Sequence, residues 1–570
     1  MDSIPLNKVI FNIVWPKKIK NSLSNGAQLI FQEQRTILSG ALVIGLMSFL
    51  SALLGLVRKR LYAGILATGL EYDALVAAFK IPDLIFQIFI AGTLNAAFIP
   101  LFSRYIRKDK AVNAWRFAST ILNWALILLL STTILVFFLA PLLVRFLVPG
   151  FAVEQQELVV KLMRILLLAP LFLGLSAFVG GVIQSFRRFF LPFFSPVAYN
   201  LGAIAGILFF YPLGGIEGMA WGVVLGALLH LLIQLPLLRH LGFRWYFSWR
   251  GLGQSLREFS RLALARSLWG LFFQLRELVL VHLASYIGIG AISILDYGVS
   301  LVRFPIVILA ASIAQASLPS LSAAADQEEE KFRRLFSNAL GQLLFLILPA
   351  SVILIVLKIP VVRLVLGTGR FDWSATVTTS WILALLALSL FAQAGRELIV
   401  RAFYALREAD LPVVISIFSL STGLIIAALL LPRLGIRGLA LGLTSGSWLE
   451  FFLLLFFLLR RIHLPWPYLV GKYSRIFFAA AVMAAAVYFP VQILDQVFID
   501  TTKVVNLVVL VWVVLTFGGS IYLFLTWILG CPEINLFLAM LFKLKSWRET
   551  FLAVPKQVKY FFSPEGQWEE

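Results

Sequence analysis

The chain has 570 residues, of which 61% are hydrophobic and 13% charged, and its mean hydropathy is +0.94. A soluble protein of this length carries about a quarter charged residues, so the composition excludes a soluble globular fold and places the chain in the membrane class. The formal net charge of +20 would suggest a nucleic-acid partner in a soluble protein, but here the positive charges sit between apolar runs and read as topology signals.

In chain order, residues 1–36 read as a cytoplasmic lead-in containing Lys17, Lys18 and Lys20. The first long apolar run starts too late and is too long to be a cleavable signal. That run, Ile37–Val57, has twenty-one residues without a charge, enough to cross a hydrocarbon core of about 30 Å. Further runs follow at about 74–102, 118–144, 158–184, 191–210, 219–238, 262–286, 292–321, 336–357, 374–399, 412–431, 434–459, 476–494 and 504–529. The expected fold is an all-α integral membrane protein with about fourteen transmembrane helices and short connections. Residues 37–241 make a first six-helix bundle, 256–461 a second, and 473–530 two extra helices. Residues 531–570 make a cytoplasmic amphipathic tail, where Lys543, Lys545 and Arg548 alternate with apolar residues as in a segment lying along the interface.

Lys and Arg concentrate in alternate loops. One set holds Arg104, Arg107, Lys108, Lys110 and Arg116, then Arg187 and Arg188, and later Lys331, Arg333, Arg334 and Arg407. The opposite set is sparse, with Glu154, Glu157, Glu217, Asp495 and Asp500; the stretch holding Arg363 and Arg370 is its exception. Both termini are therefore expected in the cytoplasm.

The chain also matches itself. Ala97-Phe-Ile-Pro100 corresponds to Ala316-Ser-Leu-Pro319 at an offset of 219, and Leu191-Pro192 to Leu411-Pro412 at 220. At that second offset, Pro212-x-x-Gly215-Ile-x-Gly218-x-Ala220-x-Gly222 matches Pro432-x-x-Gly435-Ile-x-Gly438-x-Ala440-x-Gly442. Six spans separate the copies, and an even number makes the repeats parallel. Two such six-helix repeats are a design for transport by rocking about a central site; the alternative is an ancient duplication in a protein that transports nothing. The last two spans have no counterpart in the repeat.

Ionisable groups inside spans are costly and face a cavity or a partner. The candidates for a headgroup cavity are Arg58 and Lys59, Lys80 and Asp83, Arg276, and Arg303. Their balance is positive, which suits an anionic substrate, phosphate above all. Pro82 and Pro305 are expected to break their helices and line that cavity. Simpler readings compete. In these, Arg58-Lys59-Arg60 simply snorkel to the interface at a helix end, and Lys80 with Asp83 forms a self-neutralising i,i+3 pair. Arg276 and Glu277 are adjacent, so one of them points at another helix. His282 reads as a packed histidine, and Arg396, Glu397 and Arg401 as a structural cluster at the membrane edge.

The stretches Leu54-Gly-Leu-Val-Arg58, Asp73-Ala-x-x-x-Ala78-Phe-Lys80-Ile-Pro82 and Ala97-Phe-Ile-Pro100 resemble the opening of MurJ/MviN proteins. Pro149-Gly-Phe151, Gln234-Leu-Pro236, Leu318-Pro319-Ser-Leu321 and Gly369-Arg-Phe371 extend the resemblance to roughly residues 37–530. It implies a lipid II flippase of the multidrug/oligosaccharidyl-lipid/polysaccharide exporter superfamily, in the bacterial cytoplasmic (inner) membrane. Such a protein moves the undecaprenyl-pyrophosphate-linked peptidoglycan precursor by alternating access, with a cationic central cavity for the headgroup. The resemblance also implies that the two extra helices provide a groove for the lipid tail. The chain departs from the family pattern at Ala52, Lys59, Phe86, Ala91 and Ser300, where the family carries charged groups or, for Lys59, an acid.

Within transport, the alternatives are a flippase for another polyprenyl-linked glycan or a MATE-like exporter; the basic in-span charge disfavours cationic drugs. An enzyme is not expected, because a polyprenyl-dependent glycosyltransferase would need carboxylates or a metal on a sizeable outer loop. A third reading is an inactive scaffold. No cofactor or metal is expected: Cys531 is the single cysteine and Gly-x-x-x-x-Gly-Lys-Ser/Thr does not occur. The expected partners are a lipid-linked anionic substrate and membrane lipids, with no nucleic acid, for a monomer.

Overall fold

The computed structural model describes residues 37–88, 98–107, 111–247, 253–325, 328–493 and 504–535. The expected lead-in, the tail beyond residue 535, and Ala97, Lys108, Lys110, Asp495 and Asp500 lie outside the described residues. Among the described residues there is no strand. Hydrocarbon offers the backbone no hydrogen-bond partner, and a helix satisfies its N–H and C=O groups within one segment.

The chain runs through α1 (Ile37–Leu66), α2 (Leu70–Phe86), α3 (Ile99–Arg107), α4 (Ala111–Leu147), α5 (Val153–Leu166), α6 (Leu168–Ser185) and α7 (Phe190–Ala205). It continues through α8 (Tyr211–Leu232), α9 (Leu235–His240), α10 (Gly253–Ser285), α11 (Ala291–Pro305), α12 (Ala311–Ala325) and α13 (Glu329–Val356). The last helices are α14 (Lys358–Leu366), α15 (Trp373–Ala387), α16 (Leu390–Ala405), α17 (Asp410–Leu434), α18 (Ile436–Arg461), α19 (Trp466–Ile493) and α20 (Val504–Ile528). Short π-helical segments, Gly206–Phe210 and Ile306–Ala310, join α7 to α8 and α11 to α12.

Among the described residues, nine helical stretches are long and apolar enough to cross a membrane, or ten if the bent pair α15 and α16 is one span. Helices α1, α2 and α10, which carry in-span charges, are not among the nine. One of the nine, Phe190–His240, has 51 residues, and at about 1.5 Å per residue it is more than twice as long as the hydrocarbon core is thick. Its helical geometry fails at Gly214 (φ −135°, ψ 18°) and Gly215 (φ 57°, ψ −143°), and there it turns back on itself. Gly202 then lies against Gly226, Gly206 against Gly222, and Gly218 against the Phe210 backbone, with no room for a Cβ at any of them. Contacts that pair residues symmetrically about the break define an antiparallel hairpin, so this stretch crosses twice.

The same hairpin recurs 220 residues later. Gly435 has φ 53° where Gly215 has φ 57°. Gly446 packs on Gly423 and Gly442 on Ala427, again without space for a larger side chain. Small residues let the two backbones approach closely, which is how helices associate where the solvent is itself apolar. The turn before each hairpin is also repeated: Arg187 (φ 55°) and Arg407 (φ 63°) hold the left-handed conformation. Each closes its helix with matching bonds, Arg187 N–H to Gln184 O at 2.9 Å and Arg407 N–H to Tyr404 O at 3.1 Å.

The chain divides into two compact units. The first comprises residues up to Phe304 with Val361–Ser389 and Asp410–Glu450. At one end of this unit the helix termini are tied together. Asp73 of α2 caps α11, accepting from Gly290 N–H at 2.5 Å and Ser293 N–H at 2.6 Å, and also from the Ser293 hydroxyl. Tyr297 donates to Ala67 O at 3.0 Å, Arg370 N–H to Gly64 O at 2.8 Å, and His282 Nδ1 meets Phe146 O at 2.7 Å.

The second unit comprises Pro305–Pro360, Leu390–Ala409 and the residues from Phe451 onward. In it α13 anchors both final helices: the Tyr473 hydroxyl donates to Ser337 O at 2.6 Å and that of Tyr522 to Phe345 O at 2.9 Å. A small apolar cavity of about 190 Å³ lies between α19 and α20, lined by Val487, Pro490, Val513, Val514 and Phe517.

Candidate functional site

Within the first unit, α1, α2, α10 and α11 bring ionisable side chains together. Lys59 of α1 pairs with Asp296 of α11, and its ammonium also donates to the Tyr72 hydroxyl at 2.9 Å. Tyr72 in turn donates to Asp296 at 2.8 Å, closing a triangle of three groups from three helices. Tyr72 stacks on Tyr297 with ring centroids 4.7 Å apart, which holds the phenol in place.

A second node centres on Glu277 of α10. One carboxylate oxygen accepts from Lys80 at 3.2 Å and the other from Arg276 at 2.8 Å. Asp83, one turn beyond Lys80, is exposed and lies within electrostatic reach of Lys80, Arg58, Glu277 and Asp296. The ion-paired side chains keep between 16% (Lys80) and 31% (Arg276) of their surface accessible. They are partly open rather than sealed, and pairing with an opposite charge lowers the cost of each ion at membrane depth.

Arg58 differs from its neighbours. Its guanidinium lies over the Tyr199 ring at 5.4 Å, a cation–π contact, and among the described residues no carboxylate pairs with it. Its Nε is buried without a hydrogen-bond partner, as is the Nε of Arg276. A buried donor left unpaired costs about 1–3 kcal/mol, so this arrangement of the two arginines carries a penalty.

Five of the six expected site residues thus converge: Arg58, Lys59, Lys80, Asp83 and Arg276. Arg303 does not join the ion pairs; it is exposed and lies seven residues, two helical turns, beyond Asp296 on the same face of α11. Several sequence expectations change. Lys80 reaches across to Glu277 rather than pairing with Asp83 on its own helix. Glu277 does reach another helix, pairing with Lys80 of α2, and it also meets its neighbour Arg276. Neither proline breaks its helix: α2 continues past Pro82 to Phe86, and at Pro305 the helix runs on through a π-helical segment as one stretch, Ala291–Ala325. Arg60 does not snorkel: it donates to the carbonyls of Leu364 and, at 3.1 Å, Val365, at the C-terminal end of α14. Arg396 and Arg401 both pair with Glu397, at 2.6 and 2.8 Å, in the second unit.

Sequence reasoning passed over Asp296, Tyr72 and Tyr199. Asp296 is a carboxylate in an apolar run and carried the same signal as Arg303. The tyrosines gave none, because a span tolerates a phenol without special pairing.

A protein-family profile described as "Lipid II flippase MurJ" matches residues 62–511. The chain is 30% identical over 427 residues to a probable lipid II flippase MurJ of Buchnera aphidicola, a match covering 73% of this chain and 83% of that protein. It is 27% identical over 454 residues to the lipid II flippase MurJ of Burkholderia cenocepacia, covering 77% and 87%. Among solved structures, a lipid II flippase MurJ in an inward closed conformation superposes with a TM-score of 0.72 at 22% identity, over 86% of this chain and 98% of that one. An inward-facing MATE-family multidrug transporter superposes with a TM-score of 0.61 at 19% identity, over 74% and 98%. At these identities the superpositions speak for the fold.

Proposed function

The chain belongs to the MurJ lipid II flippase family, and we propose that it carries lipid II across the bacterial inner membrane by alternating access. The observation that carries this reading is the convergence of Arg58, Lys59, Lys80 and Arg276 from three helices of a family member onto one partly open site. A pyrophosphate headgroup with sugars and a peptide cannot cross hydrocarbon unaided, and a cation cluster inside the membrane gives it a polar resting place. The polyprenyl tail stays in lipid, with the apolar cavity between α19 and α20 as its groove.

The end of the first unit sealed by Asp73, Tyr297 and Arg370 is, in this reading, the outer gate. Opening it breaks a few hydrogen bonds at helix termini, while the glycine-packed hairpins move as rigid pieces. Both termini are cytoplasmic, the working unit is a monomer, and no bond of the cargo is made or broken. Nucleic acid plays no part; the basic residues serve topology and the headgroup.

The test is rescue of a bacterium depleted of its own lipid II flippase, together with translocation of lipid II in vesicles holding the purified chain. Growth and translocation are expected. Correctly inserted protein that supports neither would overturn the assignment. The departures at Ala52, Phe86 and Ser300 favour a second reading, a different polyprenyl-pyrophosphate glycan, and the same vesicles loaded with other lipid-linked glycans distinguish the two.

A further inference from the structure

The cations of the candidate site are not waiting empty. Lys59 is held by Asp296, and Lys80 and Arg276 by Glu277. Resting on the reading that the cargo carries a pyrophosphate, we propose that Asp296 and Glu277 are resident counter-anions, which the diphosphate displaces from Lys59, Lys80 and Arg276 as it binds.

Three observations carry this. Each carboxylate occupies the position that a phosphate oxygen would take against an ammonium or guanidinium, on helices other than those of Lys59 and Lys80. Neither pair is sealed: Asp296 keeps 21% and Glu277 28% of its side-chain surface accessible, so an entering anion can reach the cations. Arg276, which shares Glu277 with Lys80, keeps 31% of its side-chain surface accessible; a diphosphate has more acceptor oxygens than two carboxylates offer and can serve all three cations at once.

The physical advantage concerns both binding and release. Three bare cations at membrane depth would be costly in the empty protein, and a site that held them without competition would retain a diphosphate too tightly to let it go. Internal carboxylates lower both problems, because each displaced acid stays nearby and competes for its cation again. Tyr72 keeps Asp296 close by its own hydrogen bond of 2.8 Å, so displacement is a short side-chain movement.

The test is calorimetric titration of inorganic pyrophosphate into the full-length protein in lipid nanodiscs. Asp296→Asn and Glu277→Gln keep the shape of each side chain and remove its charge. Each is expected to tighten pyrophosphate binding about five- to tenfold, the size of effect that losing one competing charge has in a partly hydrated site. Adding Lys59→Gln to Asp296→Asn should abolish the gain. Folded Asp296→Asn and Glu277→Gln proteins with unchanged or weaker affinity would overturn the proposal. Where a variant fails to fold, infrared difference spectra of wild-type protein with ¹³C-labelled Asp and Glu answer the same question. Saturating pyrophosphate should shift the carboxylate bands; no shift at saturation overturns it. Lipid II translocation is scored separately: a chain that responds this way yet moves no lipid II keeps the counter-anions and loses the cargo assignment. One that moves lipid II with both affinities unchanged loses only the counter-anions.

Discussion

Asp73, on α2, is the N-cap of α11: it accepts from Ser293 N–H at 2.6 Å across 220 residues of sequence. A helix usually receives this cap from its own preceding residue, but Gly290 stands there and has no side chain to offer. The α11 terminus is therefore finished only when α2 is beside it.

Asp73→Ala leaves the buried N–H groups of Gly290 and Ser293 without an acceptor, at about 1–3 kcal/mol each. A thermal-unfolding midpoint several degrees below wild type is expected in detergent, with Asp73→Asn between the two because an amide oxygen still accepts. An Asp73→Ala protein as stable as wild type would show that the trans-cap contributes nothing.

Glu277→Gln strands Lys80 and Arg276, and each unpaired cation at membrane depth costs about 2.5–3.5 kcal/mol on insertion scales. The double variant Lys80→Gln with Glu277→Gln should recover part of that loss, giving a coupling of at least about 1 kcal/mol in a double-mutant cycle of stability. Additive effects would mean that the two side chains do not interact.

The hairpins of α7–α8 and α17–α18 make a paired prediction. Gly222→Val and Gly442→Val each place a branched side chain where the partner backbone leaves no space, and overpacking of this kind costs about 1–3 kcal/mol or more. Folded yield should fall in both, measured by monodisperse recovery on size exclusion. Gly471→Val, at a position with nothing within 4 Å, should be recovered like wild type. Equal recovery of all three would remove the claim that glycine contact holds the hairpins.

Cys531 is buried, and burial pushes its thiol above the usual range. The thiolate, the reactive form, is then scarce at neutral pH. Maleimide labelling of folded protein should be slow at pH 7 and rise as pH is raised; denatured protein should label at once. Rapid labelling of the folded chain at pH 7 would contradict the burial.

Much of the fold was legible because apolar runs and loop charges are local signals. Leu191-Pro192 and Leu411-Pro412 announced the repeat, and the matched backbone of Arg187 with Arg407 and of Gly215 with Gly435 is its structural form. The site was legible only as a set of candidates. Intramembrane charge marked Lys59, Lys80 and Arg276, yet nothing local tells which carboxylate each of them meets, and Asp83 looked as good a partner for Lys80 as any.

By itself the sequence determined that this chain lives in a membrane, is helical, repeats itself at an offset of about 220 residues and keeps charge where charge is expensive. Those properties follow from composition, periodicity and spacing, which act over one or two helical turns. Only the tertiary structure decided that Asp296 neutralises Lys59, that Glu277 is shared by Lys80 and Arg276, and that Arg58 rests on Tyr199. Ion pairs between helices are fixed by where whole helices pack, and that is set by distant small residues and caps rather than by neighbours in the chain.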